Sequence, residues 1–279
     1  MITGTRFRLT QEINRQAQLA REIARGQTEI TTGKKILAPS DDPLGAARAA
    51  EIRGVEATQE VWLRNVTTAT ALAAQAETAI KSTGTALDRA KELMLRAKTG
   101  TSSADDRALI ASELRGLASE IASYRSSVDT RGEPLFRIGS SLAVPVNPGT
   151  RIAPVASREA VFSIPIDIVA ALQAAATAAE IADPSARAAA VTASIDSIDR
   201  GANQIATALA DQGIRADWLD KAREKLIDNG LVLEEQRSAI EGADITEVLA
   251  RIQMKDVHLK AAQAIFAEVN KTSLFDLIR

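Results

Sequence analysis

Apolar residues recur at alternating steps of four and three over two very long stretches, and no other feature restricts the fold of this chain so strongly. Between positions 55 and 97, eleven of 13 such positions are apolar, where the overall 46% hydrophobic content predicts about six. The spacing resumes between positions 191 and 240, interrupted by Arg223 and Arg237. Such a repeat is typical of long helices that pack along a common seam.

Composition agrees with helical packing and excludes several classes of function. Only 3% of the 279 residues are aromatic, so the core must be built from Ala, Leu, Ile and Val, which suits close helix contacts. The absence of Cys removes disulfides, thiol nucleophiles and cysteine metal sites. Because the 34 basic residues are nearly balanced by 36 acidic ones, neither nucleic acid nor an anionic membrane is favoured as a partner.

No pattern of catalytic or metal-binding residues stands out. Serine nucleophile motifs, a phosphate-binding glycine loop and metal-ligand spacings are missing, so we expect no enzyme activity, no cofactor and no metal. The lone His258 is assigned a solvent or packing role, and the adjacent Glu234 and Glu235 point to different helix faces. Core packing is the expectation for Trp62 and Trp218.

A proline-rich stretch divides the helical pattern. Its prolines are Pro134, Pro145, Pro148, Pro154 and Pro165. Since proline breaks helix interiors, we expect no helix here. Val144 and Val146 alternate before the turn Asn147-Pro148-Gly149, which predicts a small hairpin.

Short turns set the pairing of the helices around this stretch. A turn at 99–102 leads into a second apolar series, so two antiparallel helices are expected. That series is Ile110, Leu114, Leu117, Ile121, Tyr124 and Val128. Asp183 and Pro184 form a capped start for the next long helix.

Both ends of the chain carry further apolar stripes, each set apart by a break. The candidate assembly residues are Leu9, Ile13, Ala20, Ile23 and Ile30 at one end and Ile245, Val248, Ile252, Leu259, Ala262, Phe266 and Val269 at the other. The pattern alone leaves open whether these stripes pack on the main bundle or pair with each other and with neighbouring copies. Polar residues within the seams, such as Gln16, Gln212 and Lys255, either select register or show that the assigned seam has slipped.

The first break, from Gly33 to Pro43, contains a candidate hinge loop. Gly33 can end the preceding helix in a left-handed conformation. Pro39, Ser40 and Asp41 lie in a tight turn, and Asp42 is an N-cap with Pro43 at the first helical position. The two aspartates could also bind a cation, but capping needs fewer assumptions. We expect this loop to fix the angle of the terminal helix.

Segments 32–49, 241–248 and 273–279 resemble the corresponding parts of the bacterial flagellin family. The first contains Pro39-Ser40-Asp41-Asp42-Pro43, a form more similar to the hook-filament junction members than to filament flagellin. The resemblance covers residues 1–130 and 185–279 and leaves out the proline-rich centre.

The resemblance implies a mainly α fold, an elongated antiparallel helical bundle or coiled coil with a small β-rich insertion. Its domains would be a terminal coiled-coil assembly layer (1–32 and 244–279), a long bundle (43–130 and 166–240) and an outer insertion (134–165). The implied partners are further copies of the chain, the hook, a second junction protein, the flagellin filament and an export chaperone. The implied location is the extracellular flagellum, reached without a cleaved signal peptide.

Two alternatives remain besides a junction subunit. Filament flagellin shares the architecture. A surface module could instead use the central insertion to bind a glycan or another ligand.

Overall fold

The computed structural model describes residues 2–99 and 103–275; the side chains of residues 1–6, 8, 9 and 269–275 lie outside the described part. The described part contains α1 (Ile2–Thr32), α2 (Pro43–Lys98), α3 (Ala104–Arg125), β1 (Val144–Asn147), β2 (Thr150–Ile152), α4 (Arg158–Phe162), α5 (Ile168–Glu180), α6 (Pro184–Glu241) and α7 (Ile245–Phe275). The fold is therefore mainly α with one small sheet, as the sequence predicted. Among the described residues, no helix combines the length and apolar character needed to cross a membrane.

The chain divides into two units. Residues 58–229 form what we call the central unit, and residues 1–57 with 230–279 form the terminal unit. Helices α2 and α6 each contribute residues to both units.

Within the central unit, α2 and α3 form the predicted antiparallel hairpin. Near their connection, Arg89 Nη2 lies 2.6 Å from Glu113 Oε1. Farther from it, the side chain of Gln75 in α2 donates a hydrogen bond at 3.0 Å to the Val128 carbonyl, just after the end of α3. Residues earlier in α2 therefore lie beside residues later in the sequence, as expected for antiparallel neighbours.

The core of the central unit lies where α2, α3, α5 and α6 meet. The ten seam positions of α2 from Val66 to Ala97 are all buried, and five of them are Ala, which permits close approach of the helices. Lys91 and Asp199 join α2 to α6 at 2.7 Å. Val55, at the start of the predicted seam, is exposed.

The proline-rich stretch contains the predicted hairpin and also a helix. Strands β1 and β2 pair antiparallel, and Gly149 between them has φ +75°, a conformation that favours glycine. The expectation of no helix is wrong for α4. This helix lies between Pro154 and Pro165, and the side chain of Ser157 caps it by accepting a hydrogen bond from Ala160 N–H.

Two buried glutamines of α6 hold the main chain that precedes α5. Gln204 accepts a hydrogen bond from Ile166 N–H at 3.0 Å and donates one to the Val161 carbonyl at 2.9 Å. Gln212 donates to the Pro154 carbonyl at 2.8 Å. A polar residue at the Gln212 seam position is therefore explained by the insertion that it anchors.

Two apolar side chains are placed differently from the sequence expectation. Trp218 is 53% exposed, whereas Trp62 packs on the cluster around Val66 and Leu219 as expected. Residues one position apart on a helix point in directions about 100° apart, so burial of Leu219 turns Trp218 outward. Val128 is exposed because α3 ends at Arg125.

Replacing Gln204 with Ala should destabilise the central unit. The change leaves the Ile166 N–H and the Val161 carbonyl without their partner, and each unsatisfied buried group costs about 1–3 kcal/mol. The free energy of unfolding in urea is the measurement. The neighbouring Asn203→Ala, at an exposed position, is the matched control and should leave it nearly unchanged; equal effects of both changes would contradict the anchoring role.

Candidate assembly interface

The two terminal helices pair with each other in the terminal unit. Lys255 Nζ lies 2.5 Å from Glu22 Oε2, and Arg251 is hydrogen-bonded to Glu29, so α1 and α7 run antiparallel. They approach closely at Gly26, where an added Cβ would lie 2.7 Å from Cγ1 of Ile252. Of the two arrangements that the sequence left open, the chain shows the terminal stripes paired with each other.

The face that α1 turns toward α7 only partly follows the predicted seam. Ile23 and Ile30 are half-buried, as is the seam residue Gln16, whereas Ile13 and Ala20 are exposed. The other less exposed positions are Glu12, Leu19, Glu22, Gly26 and Glu29. The seam is therefore shifted by one residue at alternate positions, and it passes through Gly26, where α1 lies close to Ile252 of α7. The side chain of Leu9 lies outside the described residues.

The predicted stripe of α7 mostly faces α1. Val248 is buried, and the half-buried members are Ile252, Leu259, Ala262 and Phe266. Ile245 is exposed, and the side chain of Val269 lies outside the described residues. Lys255, the polar residue in this stripe, forms the ion pair with Glu22. His258 is exposed.

A second apolar stripe runs along the opposite side of α7, and the sequence reasoning missed it. Met254, Val257 and Ile265 are 62%, 62% and 65% exposed. The exposed alanines Ala250, Ala261 and Ala264 lie on the same side at helical spacing. We call these six residues the outer stripe. The signal was present as a second series at steps of three and four, masked by the first series in the same helix.

The two breaks noted in the sequence meet and pair. Lys35 N–H donates to the Glu241 carbonyl at 2.7 Å, and Ala243 N–H donates to the Gly33 carbonyl at 2.9 Å. The residues between these pairs form an antiparallel β-bridge. Gly33 has φ +68°, the left-handed conformation expected where α1 ends.

The hinge loop is shaped mainly by its two aspartates. Asp41 Oδ2 accepts hydrogen bonds from the main-chain N–H groups of Leu37 and Ala38, at 3.1 and 3.0 Å, which close the turn containing Pro39 and Ser40. Asp42 Oδ1 accepts one from Gly45 N–H at 2.9 Å, and α2 begins at Pro43. Both carboxylates therefore act in turns and caps. Within the described residues, no group of three or more His, Cys, Asp or Glu is arranged to hold a metal ion.

Glu241 is a buried carboxylate at this junction that the sequence did not single out. Its side chain is 7% exposed; Oε2 lies 3.2 Å from Lys34 Nζ, and Oε1 is bound by Arg53. Burial raises the pKa of Glu241, but the hydrogen bonds from Lys34 and Arg53 outweigh it and hold this pKa below its ordinary value. Glu241 is therefore ionised at neutral pH. In the sequence, only its position next to Gly242 set Glu241 apart from other acidic residues.

A second buried carboxylate, Glu29, is linked to the hinge loop through Arg25. Arg251 of α7 and Arg25 of α1 both bind it, with Arg25 Nε at 3.2 Å from Glu29 Oε1. Arg25 also reaches Asp41 at 3.0 Å. The pKa of Asp41 is lowered by the main-chain hydrogen bonds from Ala38 and Leu37 and by Arg25. This chain of charges joins α1, α7 and the hinge loop.

Replacing Gly26 with Ala should loosen the α1/α7 pair. The added Cβ must displace Ile252, although alanine is otherwise the better residue in a helix interior by about 0.5–1 kcal/mol. We expect faster hydrogen exchange at the main-chain amides of α1 and α7. Gly116→Ala is the control, since a Cβ there meets nothing within 4 Å; unchanged exchange in Gly26→Ala would contradict the close contact.

Comparisons with known proteins identify relatives of this arrangement. Residues 9–138 match the model of a family described as the bacterial flagellin N-terminal helical region. Over 122 residues the chain is 30% identical to flagellar hook-associated protein 3 of Salmonella typhimurium, covering 44% of this chain and 38% of that protein. Over 108 residues it is 31% identical to the protein of the same name from Escherichia coli, covering 39% and 34%. The chain thus spans little more than a third of these relatives.

Solved structures share the fold. A putative flagellar hook-associated protein from Vibrio parahaemolyticus superimposes with a TM-score of 0.67 at 19% identity, covering 72% of this chain and all of that one. FlgL from Xanthomonas campestris gives a TM-score of 0.58 at 16% identity, covering 67% and 99%. At such low identity these structures support the fold alone.

Proposed function

We propose, from the match of residues 9–138 to the model of the bacterial flagellin N-terminal helical region, that the chain is a structural subunit of the flagellum which joins hook to filament. The observation that carries this proposal is the outer stripe of α7, an apolar surface on a helix whose other side is already packed. The names of the two curated relatives support the junction role in particular.

The outer stripe calls for a partner on physical grounds. Helix α7 carries apolar residues on two opposite sides, and α1 packs against one of them. Contiguous exposed apolar surface commonly marks a site of contact with another protein. Full burial of a Val, Ile or Met side chain contributes about 1.5–3 kcal/mol. Three such residues with alanines between them offer a contact that neighbouring subunits can supply.

The proposed assembly interface combines the predicted terminal residues with the outer stripe. Its exposed members on the predicted list are Ile13, Ala20 and Ile245. The remaining predicted members, from Ile23 to Phe266, would act indirectly by holding the α1/α7 pair together. The domain division into 1–32 with 244–279, 43–130 with 166–240, and 134–165 belongs to the same proposal, as does the role of the hinge loop in setting the terminal layer.

The partners follow from the proposed position. They are further copies of the chain, the hook, a second junction protein, the flagellin filament and, during export, a chaperone. The chain would act outside the cell after export without cleavage of a signal peptide. We propose no catalysed reaction.

The location of the protein in the flagellum tests this function. The chain contains no Cys, so Ser140→Cys, at an exposed position of the insertion, gives a single site for gold labelling in cells that lack the unmodified protein. We expect label at one band between hook and filament in electron micrographs. Label along the whole filament would favour filament flagellin, and label away from the flagellum would favour a surface binding module.

Replacing Val257 with Glu should prevent assembly without unfolding the subunit. A charge in the outer stripe, which assembly would bury, should weaken each subunit contact by at least about tenfold. We expect normal helix content by circular dichroism but few or no filaments on complemented cells. Leu109→Glu, at a similarly exposed apolar residue of the central unit, is the control. Normal filament numbers in Val257→Glu would contradict the interface.

A further inference from the structure

Two carboxylates of the terminal unit, Glu29 and Glu241, are almost completely buried, at 5% and 6% residue exposure. Buried acids are rare unless they are paired, because removing a charge from water is costly. Each is bound by basic side chains from more than one segment of the chain. Because both carboxylates are paired with basic side chains from different segments, we expect them to have similar structural roles.

Glu241 joins three segments of the terminal unit. Lys34 reaches it from the hinge loop and Arg53 from α2, while Glu241 itself ends α6. A second ion pair, Arg237 with Glu56 at 3.0 Å, joins α6 to α2 one turn away.

Glu29 completes the arrangement from the side of the terminal helices. It lies on α1, is bound by Arg251 of α7 and shares Arg25 with Asp41 of the hinge loop. The hinge loop is therefore held near its start, through Lys34, and near its end, through Asp41. Main-chain hydrogen bonds join its first residues, 33–35, to residues 241–243.

We infer that Glu241 and Glu29 are positioning residues. Glu241 locks the start of the hinge loop to α2 and to the end of α6, and Glu29 holds α1 to the hinge loop through Arg25 and Asp41. The α1/α7 pair itself does not need Glu241, since Gly26, Ile252 and the Glu22–Lys255 ion pair lie within it. Loss of Glu241 therefore frees the pair as a body and leaves the contacts between its two helices in place. That this fixed placement serves assembly rests on the proposed function; the placement itself does not.

Distances between spin labels test the lock in the full-length chain. The absence of Cys allows two labels to be introduced cleanly. Ala17→Cys with Ala50→Cys reports α1 against α2, and Ala17→Cys with Ala261→Cys reports α1 against α7; all three positions are exposed. Pulsed electron spin resonance is recorded on the monomer, so a failure of assembly in cells does not affect the result.

With the natural carboxylates, both label pairs should give one narrow distance distribution. Glu241→Gln should broaden the distribution for Ala17/Ala50 and leave that for Ala17/Ala261 narrow. Glu29→Gln should also broaden the distribution for Ala17/Ala50, because it removes the carboxylate that Arg25 shares with the hinge loop. The control Glu60→Gln removes a charge of an exposed ion pair with Arg64 and should change neither.

Three results would overturn the inference. One is a narrow Ala17/Ala50 distribution that survives both substitutions. Another is broadening of both label pairs in Glu241→Gln, which would make this residue a general stabiliser of the terminal unit. The third is a broad Ala17/Ala50 distribution with the natural carboxylates in place.

Discussion

The pairing of residues 33–35 with residues 241–243 determines much of the terminal unit. These segments follow α1 and precede α7, and two main-chain hydrogen bonds join them. Once they are joined, two helices of 31 residues each leave the same point and can run antiparallel. Gly33 has the left-handed conformation that the corner requires. At Gly242 an added Cβ would lie 2.4 Å from the Ser238 carbonyl oxygen, so glycine is needed there as well.

The α1/α7 pair distributes its polar and apolar residues in an unusual way. Ion pairs from Glu22 and Glu29 to α7 lie along the contact between the helices, while the outer stripe of α7 is exposed. Charged pairs contribute less to stability than apolar burial, but they specify register, because a shifted helix would leave the charges without partners. The apolar outer stripe lies on the side of α7 away from these ion pairs.

The central unit uses polar residues for a different purpose. Its alanine-rich seam brings α2 close to α3 and α6, but this regular apolar packing cannot satisfy the main-chain groups of the irregular segment between α3 and α5. Gln204 and Gln212 of α6 form hydrogen bonds with main-chain groups of that segment. A buried main-chain group that lacks a partner is costly, so these two side chains stabilise the insertion as well as the seam.

Much of this architecture was predictable because its signals are local. The long helices follow from apolar periodicity, and the hairpin follows from Asn147-Pro148-Gly149. The end of α1 follows from Gly33, and the start of α2 follows from Asp42 and Pro43. The missed helix α4 is too short for periodicity to detect. Trp218 is exposed because it lies one position from the buried Leu219 and so points in another direction from the helix.

The sequence by itself determined the helices, the breaks between them and the presence of apolar stripes at both ends, since each depends on residues near one another in the chain. Only the tertiary structure decided which stripe of α7 is covered by α1, which stripe stays exposed, and why Glu29 and Glu241 are buried. The residues responsible, such as Lys34 with Glu241 and Glu29 with Arg251, lie more than two hundred positions apart. Their meeting is set by the packing of distant segments, which no local pattern records.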